Sequence, residues 1–143
     1  MKGSCLCESV TFEVDKERLS LYQCHCSLCR KQSGTFSNAA TIVSEQSYRI
    51  TSGEDCISKW KKNTGFSSNF CARCGSPVPN RLQNTEDFWI PAGLLEDVGE
   101  MRIESHLFIG SKASWEQASS NAKTHEEFPG IEAHIAFLNS RNQ

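Results

Sequence analysis

The sequence lacks several features that would define other classes of protein. No apolar run among its 143 residues approaches the roughly 18 to 20 residues that a membrane-spanning helix needs. The net charge is only −2, which excludes a strongly basic nucleic-acid binder and a polybasic membrane patch. The stretch from Met1 to Cys5 has none of the apolar character of a secretion signal. We therefore expect a cytoplasmic protein with neither membrane nor nucleic acid as a partner.

Internal repeats, low-complexity segments and a glycine-rich phosphate loop are also absent. What fills the chain instead is a series of short β-rich runs. In the first run, Val10, Phe12 and Val14 alternate with polar residues, as in a half-buried strand. The other runs cover residues 36–43, 47–51, 56–60, 66–70, 88–91 and 103–109.

Helical patterns are confined to the end of the chain. Ser111, or less favourably Ser114, could cap a short helix that begins at Lys112. A polar loop is expected over residues 121–130, and a second helix over Ile131–Leu138. The sequence thus predicts one domain over residues 1–143, mainly antiparallel β with short C-terminal helices.

Cysteine is unexpectedly abundant, with eight residues, seven of which lie in three clusters. Four disulfides would suit a secreted protein. A chain of this length, however, buries about two thirds of its unfolded surface and can fold without such links. Clustered thiols in a reduced compartment usually bind metal, so we interpret the clusters as zinc ligands.

The first and last clusters are suited to a closed structural zinc site. Cys5 and Cys7 flank one residue, so their side chains point to the same side of extended chain. Cys71 and Cys74 form a CxxC turn followed by Gly75, which tolerates the positive φ of a zinc knuckle. Together they supply four thiolates.

The middle cluster offers only three thiols, from Cys24, Cys26 and Cys29. Three protein ligands and an open position are typical of a zinc that binds water or substrate. The alternative is a second closed site, completed by Cys56, His25 or His106. In extended chain His25 would point away from its cysteine neighbours, and Cys56 lies in a strand-like stretch without knuckle residues.

The clusters and the segments between them resemble the glutathione-dependent formaldehyde-activating enzyme family, which also includes centromere protein V. The match spans residues 3–116, leaving a C-terminal loop and helix over 117–143. The matching motifs are Gly3-Ser4-Cys5-Leu6-Cys7, Val10-Thr11-Phe12, Cys24-His25-Cys26-Ser27-Leu28-Cys29-Arg30-Lys31 with Gly34, Tyr48 to Glu54, Phe70 to Ser76 and His106 to Trp115. One departure is Glu8, where the family usually has glycine; it could alter the backbone there or place a carboxylate near a zinc.

The resemblance implies a fold of coiled antiparallel sheets, sometimes called a β-tent, with two zinc ions per chain. The structural zinc would be held by Cys5, Cys7, Cys71 and Cys74, and the catalytic zinc by Cys24, Cys26 and Cys29. The resemblance also implies a carbon–sulfur lyase or synthase that joins glutathione and formaldehyde into S-hydroxymethylglutathione. Glutathione is anionic, so the candidate substrate contacts are Arg30 and Lys31, just after the middle cluster, and Lys112 with its neighbour Trp115. The alternatives are an interaction module with two structural zinc sites, or a lyase for a different thiol adduct.

Overall fold

The structure is a computed structural model that describes residues 1–96, 100–116 and 123–141. Contacts within the chain divide it into two compact units. The first unit comprises Met1–Glu17 and Ile42–Gly99, and the second comprises Arg18–Thr41 and Glu100–Gln143. One domain over residues 1–143 stays a prediction.

The described residues form eleven strands and two α-helices. The strands are β1 (Lys2–Ser4), β2 (Thr11–Val14), β3 (Arg18–Cys24), β4 (Asn38–Ser44), β5 (Tyr48–Ser52), β6 (Ile57–Lys61), β7 (Ser67–Cys71), β8 (Asn80–Arg81), β9 (Asp87–Pro91), β10 (Glu100–Leu107) and β11 (Lys123–Thr124). The helices are α1 (Ser27–Ser33) and α2 (Ile131–Arg141), and short 3-10 turns lie at Glu45–Ser47, Glu54–Cys56, Ala92–Leu94 and Ile109–Ser111.

The first unit contains an antiparallel sheet in the order β1-β2-β5 and an antiparallel β6–β7 pair. Phe12 and Val14 of β2 are buried while Thr11 and Glu13 are half-buried, which reproduces the alternation in the sequence. Gly3 lies opposite Phe12, and a Cβ at Gly3 would collide with the Phe12 ring. The pairing therefore requires glycine at this position.

The second unit is built around β3, which pairs with β10 in parallel and with β4 in antiparallel register. β11 adds to β10, also in parallel. Leu19, Ser20, Leu21 and Tyr22 are all buried. Continuous burial of this kind is typical of a strand covered on both faces. The sequence analysis did not identify β3, although Leu19 and Leu21 carry an alternating apolar pattern.

The two helices differ in how well the sequence predicted them. α2 was expected from Ile131 to Leu138 and is found from Ile131 to Arg141, with His134 and Leu138 buried. α1 was not predicted, because seven residues are too few to show a helical period. The helix expected from Lys112 is wrong for residues 112–116, which form a turn after the 3-10 segment.

The expected polar loop is described from residue 123 onward and contributes strand β11; residues 121 and 122 lie outside the described residues. The prediction of a mainly β, largely antiparallel fold is confirmed, and of the expected short C-terminal helices the described residues contain α2. No described helix combines the length and apolar character needed to cross a membrane.

Candidate metal centres

The first group of thiols brings together the two clusters that were expected to form a structural site. The sulfur atoms of Cys5, Cys7, Cys71 and Cys74 all lie within 4.8 Å of one another. Cys7 Sγ is 3.7 Å from Cys5 Sγ and 3.8 Å from Cys71 Sγ. A tetrahedral zinc with Zn–S bonds of about 2.3 Å has S···S edges of about 3.8 Å. The four thiols therefore have the spacing of a zinc site and lie well beyond the ~2.05 Å of a disulfide.

Local backbone turns aim these sulfur atoms at one point. The Cys5 N–H donates to the Val10 carbonyl at 3.0 Å, and the Val10 N–H donates back to Cys5 Sγ at 3.3 Å. In the second half of the site, the Gly75 N–H donates to the Cys71 carbonyl at 2.8 Å, with Gly75 at φ +77°. Both halves thus form tight turns closed by backbone hydrogen bonds to the cysteines.

Glu8, the departure from the family pattern, keeps the backbone that glycine would adopt. Its φ is +59°, in the left-handed region, and its N–H donates to the Cys5 carbonyl at 2.8 Å. Left-handed backbone costs a non-glycine residue about 1 kcal/mol. The side chain is exposed and belongs to neither group of thiols.

In the first group, burial raises the pKa of one thiol, and neighbouring hydroxyl groups lower the pKa values of two others. Burial raises the pKa of the Cys5 thiol to about 11. The Ser76 hydroxyl, 3.4 Å from Cys74 Sγ, lowers the pKa of Cys74 to about 5. The Ser9 hydroxyl, 3.3 Å from Cys7 Sγ, likewise lowers the pKa of Cys7. The exposed side of the group thus favours thiolates, the form in which cysteine binds a metal.

The second group consists of Cys24, Cys26 and Cys29, whose sulfur atoms also lie within 4.8 Å of one another. Cys24 ends β3, and Cys26 is the N-cap of α1, where its Sγ accepts from the Cys29 N–H at 3.4 Å. Gly34 ends α1 in the left-handed conformation, at φ +69°. Among the described residues, no fourth cysteine, histidine or carboxylate joins this group within that distance.

The crowding of these three thiols spreads their pKa values apart. Hydrogen bonds from Cys24 and Cys29 lower the pKa of Cys26 to about 2. Cys26 in turn raises the pKa of Cys24 to about 12, and both neighbours raise that of Cys29 far above its usual range. The three thiols therefore compete for ionisation, and Cys26 is the one whose pKa is lowered. A divalent metal is the kind of ion that lets all three ionise together.

The three residues considered as a fourth ligand of the second group make other contacts. Cys56 packs in the first unit, against the buried cluster that contains Cys5 and Cys71. His25 directs Nδ1 at Glu116 Oε1, 2.6 Å away, and Nε2 at His106 Nδ1, 2.8 Å away. His25 and His106 are thus engaged with each other and with Glu116.

Glu116 is the site residue that the sequence analysis missed. It lies directly after Trp115, the last residue of the matching motifs, and its side chain is 1% exposed. A glutamate beside a surface tryptophan resembles any solvated acidic residue. The available signal was its place at the end of the motif that begins with His106.

The expected substrate contacts all lie in the second unit. Arg30 and Lys31 are in α1, immediately after Cys29, with Arg30 half-buried and Lys31 exposed. Lys112 is exposed, and Trp115 is 67% exposed with its ring edge-on to Phe36 at a centroid distance of 6.1 Å. Their roles stay predictions.

Comparisons with known proteins identify the family of this chain. Residues 1–111 match the model of the family described as glutathione-dependent formaldehyde-activating enzyme. A Halomonas elongata protein that carries this description as a provisional name is 25% identical over a 130-position alignment that covers 84% of this chain and 82% of that protein. A crystal structure of a Rhodobacter sphaeroides protein superposes with a TM-score of 0.56 and 26% identity, over 69% of this chain and 91% of the other.

Proposed function

Because the chain belongs to the glutathione-dependent formaldehyde-activating enzyme family, we propose that it forms and cleaves S-hydroxymethylglutathione as a zinc-dependent carbon–sulfur lyase. The observation that carries this proposal is the difference between the two groups of thiols. The first has four sulfur atoms, and the second has three with no fourth described ligand. A closed site and an open site on one chain suit a structural and a reactive metal, respectively.

In this proposal the first zinc is held by Cys5, Cys7, Cys71 and Cys74, and the second by Cys24, Cys26 and Cys29. When bound at three thiolates, a zinc ion favours a soft fourth ligand and can stabilise a substrate thiolate or polarise a carbonyl oxygen near neutral pH. The spacing of the first group and the crowding of the second support the assignment.

The reaction joins two small molecules without an oxidant or reductant. The glutathione sulfur attacks the carbonyl carbon of formaldehyde, and the C=O π electrons move to the oxygen. The proton that leaves the thiol ends on that oxygen, which gives S-hydroxymethylglutathione. The protein's contribution is to hold both reactants together and in line.

The charged and aromatic side chains of the second unit would bind glutathione. Arg30 and Lys31 follow the three thiols on α1, where they can attract the carboxylates of the substrate. Lys112 and the exposed ring of Trp115 would supply a further cation and an apolar surface. A cytoplasmic location, where glutathione is abundant and thiols stay reduced, is consistent with eight free cysteines.

The test measures adduct formation and breakdown by two-dimensional NMR exchange in the zinc-loaded protein and its Cys26→Ser variant. We expect the variant to lose one of two zinc ions and at least about 100-fold in exchange rate, with its β fold intact. Cys56→Ser is the matched control, since Cys56 lies outside both groups of thiols and should retain both zinc ions and the native rate.

Equal rates in the native protein and Cys26→Ser would overturn the proposal. A native protein that is inactive with glutathione and formaldehyde, but active with another thiol–aldehyde pair in the same assay, would retain the reaction class and replace the substrate. Two zinc ions with no activity on any adduct would favour an interaction module.

A further inference from the structure

Three buried polar side chains of the second unit, those of Glu116, His25 and His106, contact one another in series. Glu116 Oε1 lies 2.6 Å from His25 Nδ1, and His25 Nε2 lies 2.8 Å from His106 Nδ1. The residues are 6%, 0% and 4% exposed, respectively. They come from three segments: His106 from β10, His25 from the turn between β3 and α1, and Glu116 from the turn after the last 3-10 segment.

His25, the middle residue of this series, lies between two of the proposed metal ligands in the sequence. His25 is the single residue between Cys24 and Cys26, and its backbone N–H donates to the Leu107 carbonyl at 2.9 Å. Both its backbone and its side chain are thus tied to neighbouring segments of the same unit. Alternate side chains of extended backbone point in opposite directions. Holding the His25 ring on one side of the backbone therefore directs the Cys24 and Cys26 sulfur atoms to the other side.

Two short contacts hold these three side chains together. At 2.8 Å the lone pairs of His25 Nε2 and His106 Nδ1 cannot face each other, so one of these two nitrogens donates a hydrogen bond to the other. His25 Nδ1 and Glu116 Oε1 meet in a close N···O contact, and neither carboxylate oxygen of Glu116 has a hydrogen-bond partner among the described residues.

A series of polar side chains such as this costs free energy to bury, and once formed it fixes the orientation of each side chain. A buried carboxylate is tolerated only when it is paired, and removal of its partner leaves an uncompensated polar group. Partners that lie one step beyond a metal ligand fix ligand orientation, and their loss commonly weakens metal binding 10- to 100-fold. His25 is covalently joined to two ligands, so its orientation is transmitted directly to both.

We propose that Glu116, His25 and His106 are positioning residues that hold Cys24 and Cys26 in the geometry required for metal binding. This inference rests on the proposed function only in taking Cys24, Cys26 and Cys29 as metal ligands. The three side chains act through the backbone of His25 and contact neither substrate nor metal in the proposal.

The test uses cobalt(II) as a spectroscopic substitute for zinc in the full chain under reducing conditions. Thiolate-to-cobalt charge-transfer and d–d absorption bands report the two sites, and Cys26→Ser supplies the spectrum of the first site alone. We expect Glu116→Ala to weaken cobalt affinity of the second site about 10- to 100-fold and to shift its d–d bands, with the first site unchanged. Glu127→Ala, at an exposed glutamate of the same unit, is the matched control and should bind like the native protein.

Two conservative variants keep the test decisive if Glu116→Ala does not fold. Glu116→Gln retains a side-chain oxygen of the same reach and should stay within about threefold of native affinity. Glu116→Asp shortens the reach by one methylene and should weaken the second site at least about threefold.

Native cobalt affinity and an unchanged spectrum in Glu116→Ala or, where that variant is unfolded, in Glu116→Asp would overturn the inference. Failure of the native protein to bind a second cobalt ion would instead remove the metal assignment on which both proposals rest. Loss of catalysis has no influence on this readout, so a protein with tight, Glu116-dependent cobalt binding but no activity would refute only the proposed reaction.

Discussion

His134 provides a stability prediction whose size can be worked out from the structure. The side chain is 1% exposed in α2, with its ring edge-on to Tyr22 at 4.8 Å and near Phe128 at 5.8 Å. Neither ring nitrogen has a hydrogen-bond partner among the described residues. Burial, followed by the charges of His125 and Lys123, lowers its pKa from 6.5 to about 4. The folded protein therefore holds this imidazole neutral.

The sign of the pH effect follows from that lowered pKa. Between pH 6.5 and about 4, the unfolded chain binds a proton at His134 that the folded chain does not, so stability falls as the pH falls through this range. A tenfold difference in proton affinity corresponds to about 1.4 kcal/mol. Moving from about pH 7.5 to about pH 5.5 should thus remove about 1.4 kcal/mol, or about 1 kcal/mol after solvent screening of the neighbouring charges.

The assay is urea unfolding of the zinc-loaded protein and His134→Phe at the two pH values. Phenylalanine keeps the aromatic contacts with Tyr22 and Phe128 but cannot titrate, so the variant should lose about 1 kcal/mol less than the native protein on acidification. Zinc content is measured at both pH values, because the cysteine ligands also take up protons in acid. Equal losses in the two proteins, with zinc retained, would refute the burial of a neutral His134.

Two further predictions concern the first group of thiols and the turns. Cys71→Ser should unfold the protein, because structural zinc contributes about 10 kcal/mol or more against a net stability of about 5 to 15 kcal/mol. Cys26→Ser should remain folded, as measured by circular dichroism. Two folded variants would contradict the division into a structural and a reactive site. Gly53→Ala should lose several kcal/mol in urea unfolding, because Gly53 has φ +75° and a Cβ there would collide with the Ser9 carbonyl oxygen. Gly34→Ala, at φ +69° in open space, should lose only about 1 kcal/mol, and equal losses would show that the collision is relieved elsewhere.

The residues that chemistry requires at short spacing were predictable from the sequence alone. Cys5 and Cys7 lie two residues apart, and Cys71 and Cys74 lie three apart and precede a glycine; each pair is a local geometry that the sequence states directly. Most strands of the first unit were predictable for a similar reason, because side chains alternate with period two wherever one face is buried.

Segments with weak local patterns were decided by tertiary contacts. β3 is a central strand because β10 and β4 pair with its two edges, and nothing within Arg18–Cys24 indicates a parallel neighbour some 80 residues later in the chain. α1 is a seven-residue helix whose start is capped by Cys26, a residue that the sequence analysis considered only as a ligand. The turn at residues 112–116 took the place of an expected helix, with Ala113 and Glu116 buried in it.

The sequence by itself determined which residues can bind metal, since thiol chemistry and spacing are local properties of the chain. Spacing also predicted the division into four thiols and three, but only the tertiary structure brings the four sulfur atoms together, because convergence depends on turns and strand pairings far apart in the sequence. The tertiary structure likewise decided the place of His25, whose ring is held by Glu116, 91 residues later, and by His106, 81 residues later. Burial of a carboxylate against two imidazoles is a property of packing, so no local pattern in the sequence could have revealed it.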